Sequence, residues 1–229
     1  DIETQKGFNE VDRKKLYLLK VSVVCIHDSK TDSYTAFEEK EMTKLEEILK
    51  QADLIIGSAQ TLAAVGESAA QRVASDGDPE EVARHVASNP VMQLVILASG
   101  DPLFYGTARY LCEKLGKDRF EVVPHVSSMQ LAFARVKESW DEAYLTNLAN
   151  QNLDRVVERI RSVERVGLFT TDDFTPARIA QALLERGIDY FTAYVCENLG
   201  SPDERVTQGE LSELAGHVFG ALNVMILVR

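Results

Sequence analysis

The stretch Gln93 to Gly106, which reads Q-L-V-I-L-A-S-G-D-P-L-F-Y-G, constrains the fold more than any other segment, because an apolar run stops abruptly at a turn that restarts the chain as a helix. Leu94 to Leu97 are apolar without alternation, the pattern of a strand covered on both faces, as in a parallel sheet. Gly100 allows backbone angles and a close approach that a Cβ would hinder. Asp101 can cap the free N–H groups that follow, and Pro102 fits the first helical position. The spacing then predicts a helix with Ala108, Leu111, Cys112 and Leu115 on its apolar face, ending at Gly116. In an open α/β sheet, ligands bind at such a junction, and a helix N-terminus attracts anionic groups.

Gly-Asp-Pro is also an ordinary turn before a helix, and the chain contains a control. Gly77-Asp78-Pro79 repeats the tripeptide, but the preceding Gln71 to Asp76 is polar and offers no buried strand. That copy reads as a simple helix cap. The apolar run before Gly100 and the Phe104-Tyr105-Gly106 that follows set the other apart.

A chain of 229 residues with 45% hydrophobic side chains can bury a full core, as one large domain or two of modest size. No run approaches the length of a membrane-spanning helix and the charged first residues lack a signal-peptide core, so a soluble protein is expected, without a membrane partner. Cys25, Cys112 and Cys196 are widely separated and show no C-x-x-C spacing, which speaks against a disulfide framework or a zinc site and fits a reducing cytoplasm. The formal charge of −11 is spread along the chain, so no nucleic-acid partner is expected. His27, His85, His125 and His217 have no metal-ligand spacing and read as surface or satisfied histidines; no metal site is assigned.

Leu16 to Ile26 reads as a first strand, Thr35 to Glu38 as a capping box, and Leu45, Ile48 and Leu49 as one helix face. Leu54 to Ile56, ending at Gly57, is a short strand, and Glu80 to Ala87 a helix. A second alternating set starts at Phe120 to Val123, with Pro124 and His125 as linker. Helices are expected at Met129–Val136, Leu153–Ile160 and after Thr175-Pro176, where Ile179, Ala182 and Leu183 keep helical spacing up to Gly187. Ala143–Leu148, Val166–Thr170, Tyr190–Cys196 and Asn223–Val228 read as strands, and Val206-Thr207 as part of an antiparallel hairpin. The alternation of β and α implies a parallel or mixed sheet.

In order, Ala98-Ser-Gly-Asp-Pro-Leu-Phe-Tyr-Gly106, Pro124-His-Val-Ser-Ser128, and Val195-Cys-Glu-Asn-Leu-Gly200 followed by Asp203-Glu204-Arg205-Val206 resemble the loops of the tetrapyrrole methylases, the S-adenosylmethionine-dependent enzymes of cobalamin and sirohaem synthesis. V-P-H-V-S-S-M-Q-L-A-F-A-R and W-D-E-A-Y-L-T-N-L are most similar to the precorrin methylases that modify C5, and the resemblance covers about residues 43 to 229. It implies a two-domain α/β fold with a mostly parallel N-terminal sheet and a mixed C-terminal one, divided into residues 1–124, of which 1–42 are divergent, and 125–229. It implies a homodimer with the cofactor in the cleft between domains. It places Ser99, Gly100, Asp101 and Phe104 on the methionine and ribose part of S-adenosylmethionine, and Ser127, Ser128, Thr171 and Gly200 on the opposite, mainly backbone, wall. From the residues alone, Ser127-Ser128 is equally a helix cap and Thr171-Asp172 a strand-end turn. The implied substrate is a polycarboxylate tetrapyrrole, for which Arg109, Arg135, Lys137 and Arg178 are candidate cations. The cofactor carries an already activated methyl group, so no catalytic base is nominated.

Two segments depart from the family. Its first strand runs into a glycine-rich loop, whereas Val23-Val-Cys-Ile-His-Asp-Ser-Lys30 contains no glycine. Cys25 to Lys30 should therefore close part of the cleft or fold elsewhere. Related precorrin methylases carry His-Gly-Arg where this chain has Ala149, Asn150 and Gln151. These losses make an impaired or non-catalytic protein of the same fold the first alternative, and a methylase acting on protein or RNA the second.

Overall fold

The computed structural model describes residues 21–26, 42–63, 65–75 and 78–229. The chain divides into two compact units, one ending at Ser127 and the other running from Ser128 to Arg229.

The first unit holds β1 (Val21–Ile26), β2 (Leu54–Gly57), β3 (Gln71–Ala74), β4 (Leu94–Ser99) and β5 (Phe120–Val122), with helices α1 (Met42–Gln51), α2 (Ala59–Ala63), α3 (Pro79–Ser88) and α4 (Thr107–Leu115). The sheet order is β3-β2-β4-β1-β5. β2 pairs in parallel with β3 and β4, while β1 lies antiparallel between β4 and β5, so four strands share one direction and β1 opposes them. The unalternated apolar runs explain the layering. Leu54, Ile56, Leu94 and Ile96 pack on one face against Val82, Val86, Ala108 and Leu111 of α3 and α4. Ile55, Val95 and Leu97 turn to the other face and meet Leu49, Leu62 and Val65. Both faces of β2 and β4 are thus covered by helices.

Three sequence expectations change here. The polar Gln71–Ala74 is a strand, exposed at the sheet edge, where one side of the ladder needs no partner. Phe120–Val122 completes the first sheet and does not open the second set. The helix after Gly100 begins at Thr107, not Pro102, because Pro102 to Gly106 forms a tight turn in which Phe104 N–H bonds to Asp101 O at 3.1 Å and Tyr105 adopts φ 58°. Asp78 does cap α3, its Oδ1 accepting from Glu80 N at 2.9 Å. The predicted first-strand residues Leu16 to Lys20 and the Thr35–Glu38 capping box lie outside the described residues.

The second unit holds β6 (Tyr144–Asn147), β7 (Arg165–Phe169), β8 (Thr192–Glu197), β9 (Arg205–Glu210) and β10 (Asn223–Val228), with α5 (Ser128–Val136), α6 (Leu153–Ile160), α7 (Pro176–Leu184) and α8 (Leu211–Leu214). Its order is β6-β7-β10-β8-β9; β6 and β7 are parallel and the other pairings antiparallel, giving a mixed sheet. Val156, Val157 and Ile160 of α6 and Ile179 and Leu183 of α7 join Val166, Leu168, Val195, Met225 and Leu227 in one core. α5 packs at Gly167, where an added Cβ would stand 2.9 Å from both Phe133 Cε2 and Leu145 Cδ2. Asn152 and Thr175 cap α6 and α7 through their side-chain oxygens, at 3.2 and 3.3 Å. Among the described residues no helix is long and apolar enough to cross a membrane.

Candidate functional site

β4 and β5 point the same way, so the loops leaving Ser99 and Val122 emerge at one end of the first sheet. They touch. Gly100 sits at φ 69°, and a Cβ built on it would lie 3.2 Å from Ser127 Cα and 3.8 Å from Val126 O. A side chain would therefore be strained by its backbone angle and crowded by the neighbouring loop. Asp101 Oδ1 accepts the Leu103 N–H at 2.9 Å, which closes the turn, and the Phe104 ring stands edge-on to Tyr105 with centroids 4.9 Å apart. Ser99 is exposed, Ser127 is buried, and Leu103, Tyr105 and Val126 leave apolar surface open to solvent at this end. Five of the residues chosen from sequence, Ser99, Gly100, Asp101, Phe104 and Ser127, thus gather at one place.

His125 in the same loop differs from its sequence reading. Its Nδ1 is shielded from solvent and has no hydrogen-bond partner among the described residues. Burial holds its pKa below the ordinary imidazole value.

β1 approaches this end from the other direction. Val21 pairs with Ser99, whereas Ile26 pairs with Phe120 at the start of β5. The chain therefore leaves β1 at the end of the sheet remote from Gly100.

In the second unit, Thr171 follows β7 and Gly200 follows β8. These strands run parallel in direction on either side of β10, so both loops leave one end of the sheet. Thr171 closes a turn, its Oγ1 accepting from Phe174 N at 3.0 Å. Leu148–Asn150, a single 3-10 turn at the same end, is capped by Asn147 Oδ1, which accepts from Ala149 N at 2.9 Å. Ser128 opens α5. Gly200, at φ 73°, donates its N–H to Glu204 Oε2 at 2.5 Å, and Glu204 also pairs with Arg135. Glu197, almost fully buried at the end of β8, accepts from Gly220 N at 2.7 Å and from Arg205 Nε at 2.8 Å. Burial pushes the neighbouring Cys196 thiol up to about 12, with the Glu204 charge adding and Arg135 subtracting.

Three of the four cations named from sequence have other engagements. Arg109 is an exposed charge paired with Glu113 at 2.9 Å on its own helix. Arg135 is held by Glu204, and Arg178 donates to Asp173 O at 2.6 Å while lying over the Phe174 ring. Lys137 is exposed. Glu197 and Glu204 were missed from sequence; the signal available was two carboxylates flanking a glycine turn at the end of an apolar strand. Among the described residues no three His, Cys, Asp or Glu side chains gather as a metal site. A concavity lined by Glu142, Ser162, Arg165 and Arg229 lies at the start of β7, away from Thr171.

Comparison with known proteins adds to this geometry. The tetrapyrrole (corrin/porphyrin) methylase family matches residues 43–215. A cobalt-precorrin-7 C(5)-methyltransferase of Salmonella typhimurium is 26% identical over 160 residues, which cover 70% of this chain and 79% of the relative. A precorrin-6Y C(5,15)-methyltransferase (decarboxylating) of Sinorhizobium sp is 31% identical over 157 residues, 68% of this chain but only 35% of that longer protein. In fold, the chain is similar to the uroporphyrin-III C-methyl transferase of Thermus thermophilus crystallised with S-adenyl homocysteine, at a TM-score of 0.59 and 20% identity over 82% of this chain and 90% of that one.

Proposed function

The chain belongs to the tetrapyrrole (corrin/porphyrin) methylase family, and from that premise we propose that it is an S-adenosylmethionine-dependent C-methyltransferase acting on C5 of a precorrin or cobalt-precorrin. The observation that carries the reading is the contact of the two loops ending β4 and β5, where Gly100 meets Ser127 in a cradle that a Cβ would fill. Support for C5 comes from the relatives in Salmonella and Sinorhizobium, whose names give that position.

The residues fit the cofactor. When bound, S-adenosylmethionine supplies an activated methyl group on a sulfonium, whose departure leaves a neutral thioether. Gly100 admits it against bare backbone, the Ser99 hydroxyl adds a directed hydrogen bond, and the Asp101 carboxylate complements its cationic methionine part. Phe104 supplies an apolar surface, and Ser127, Ser128, Thr171 and Gly200 complete the set assigned to it. The work of these residues is to bind and orient, an effect worth about 7–11 kcal/mol in favourable cases. A homodimer is part of the reading, and a strictly monomeric mass across micromolar concentrations would remove that part.

A second reading is favoured by the direction of β1. With no glycine-rich loop leaving it beside Gly100, and with Ala149, Asn150 and Gln151 in place of His-Gly-Arg, the chain keeps the cofactor cradle but holds its substrate poorly. Calorimetry with S-adenosylmethionine, followed by transfer of a labelled methyl group to cobalt-precorrin-7, separates the two. Binding with transfer supports the first reading; binding without it, recovered by Ala149→His, Asn150→Gly and Gln151→Arg together with a glycine-rich turn after the first strand, supports the second. Gly100→Val should weaken cofactor binding about tenfold or more in a folded chain, because a side chain crowded against Ser127 at a positive φ displaces the loop and obstructs the cofactor. Unchanged binding in that variant would overturn the cradle assignment.

A further inference from the structure

The carboxylate of Glu204 is where the β8–β9 turn is tied to α5. Its Oε2 accepts the Gly200 N–H at 2.5 Å, and the Arg135 guanidinium grips it as a fork, Nε on Oε1 and Nη2 on Oε2 at 3.2 Å. The two side chains are only 20% and 32% exposed, so this charge-assisted pair is partly sheltered from water. The turn it holds is unusual in its backbone, with Asn198 at φ 49° and Gly200 at φ 73°. Asn198 Nδ2 donates to Asp203 Oδ2 at 3.0 Å and Ser201 Oγ to Asn198 O at 2.8 Å, which adds local closure but no link to another element.

We propose that Glu204 is a positioning residue for the Gly200 turn, and that Arg135 serves to hold Glu204 in place and does not meet the substrate. The proposal rests on the reading of Gly200 as part of the S-adenosylmethionine set. The peptide before Gly200 is trans, so its N–H and the Leu199 carbonyl point in opposite directions. Fixing the N–H on Glu204 fixes that carbonyl on the far side of the turn. The turn then offers a ligand a hydrogen-bond acceptor and a bare Cα, and the Gly200 amide is already committed.

The test uses the full chain, with S-adenosylmethionine affinity by calorimetry and thermal melting measured in parallel. Glu204→Ala removes the acceptor and should weaken affinity about tenfold or more. Glu204→Gln keeps an oxygen for the Gly200 N–H but weakens the Arg135 fork, and should lose clearly less affinity than Glu204→Ala, about threefold, which is the partial rescue a positioning role requires. Arg135→Met, which leaves the carboxylate but removes its guanidinium clamp, should weaken binding about threefold or more and remains decisive if Glu204→Ala does not fold. A purely structural role predicts lower melting temperatures with unchanged affinity in Arg135→Met and Glu204→Ala, and that result overturns the proposal. Failure of the unaltered chain to bind S-adenosylmethionine would instead remove the functional reading beneath it.

Discussion

Gly167 is a residue whose whole contribution is the absence of a side chain. It lies mid-strand in β7, and α5 rests on it through Met129 and Phe133. Gly167→Ala must push Met129, Phe133 and Leu145 aside in a filled core, which should cost about 1–3 kcal/mol. Thermal denaturation should show a drop of several degrees, while Gly216→Ala, where a Cβ meets nothing within 4 Å, should leave the midpoint nearly unchanged. Equal midpoints would mean that α5 shifts freely. His125 makes a prediction of a different kind. Its pKa is depressed below 6.5, so on acidification the unfolded chain takes up a proton on this group before the folded one does. The stability it contributes is full above that value and lost as pH falls below it. Urea midpoints measured at about pH 7.5 and about pH 5.5 should therefore fall further for the unaltered chain than for His125→Gln. The same slope in both would show that the imidazole is not held neutral. Local chemistry of this sort is only half legible in sequence. Caps such as Asp78 and Thr175 bond within three residues and can be read directly, whereas Glu204 finds Arg135 across 69 residues of chain.

At the scale of elements, legibility follows burial. β2 and β4 are apolar on both faces because helices cover both, and their runs mark them in the sequence. β3 carries no such signal: at an edge, with three of its four residues exposed, Gln71–Ala74 lacks the apolar run that marks its neighbours. The misplaced start of α4 has a local cause. Asp101-Pro102 has the composition of a helix opening, but Gly106 packs against Pro102, whose Cα would lie 3.0 Å from a Cβ there, so the turn closes on itself before the helix begins. The direction of β1 was beyond reach, because Val21–Ile26 reads as a strand whichever way it is inserted and only its partners, Leu97 and Ile96 on one side and Val122 and Glu121 on the other, set its orientation. The candidate residues themselves were legible as loops that end buried strands. What sequence did not reveal was which backbone donors those loops had already spent.

At the scale of the whole chain, β1 is what makes the first unit one sheet. It lies between β4 and β5, and Val24 is paired on both sides, with Ile96 and with Val122. Among the described residues, the apolar clusters on the two faces of the first sheet draw on residues up to Val122, and that of the second unit on residues from Tyr144 onward. A proline at position 24 removes a ladder N–H from a central strand, a place that sheets do not tolerate. Val24→Pro should therefore open the first unit and spare the second. Hydrogen exchange read by mass spectrometry should show β2 and β4 amides losing protection while those of β7, β8 and β10 keep theirs, and S-adenosylmethionine binding should be lost with the Gly100 cradle. Uniform loss of protection through both units would show that they unfold as one, and full protection of β4 would show that β1 is not needed to complete the sheet that carries the cradle.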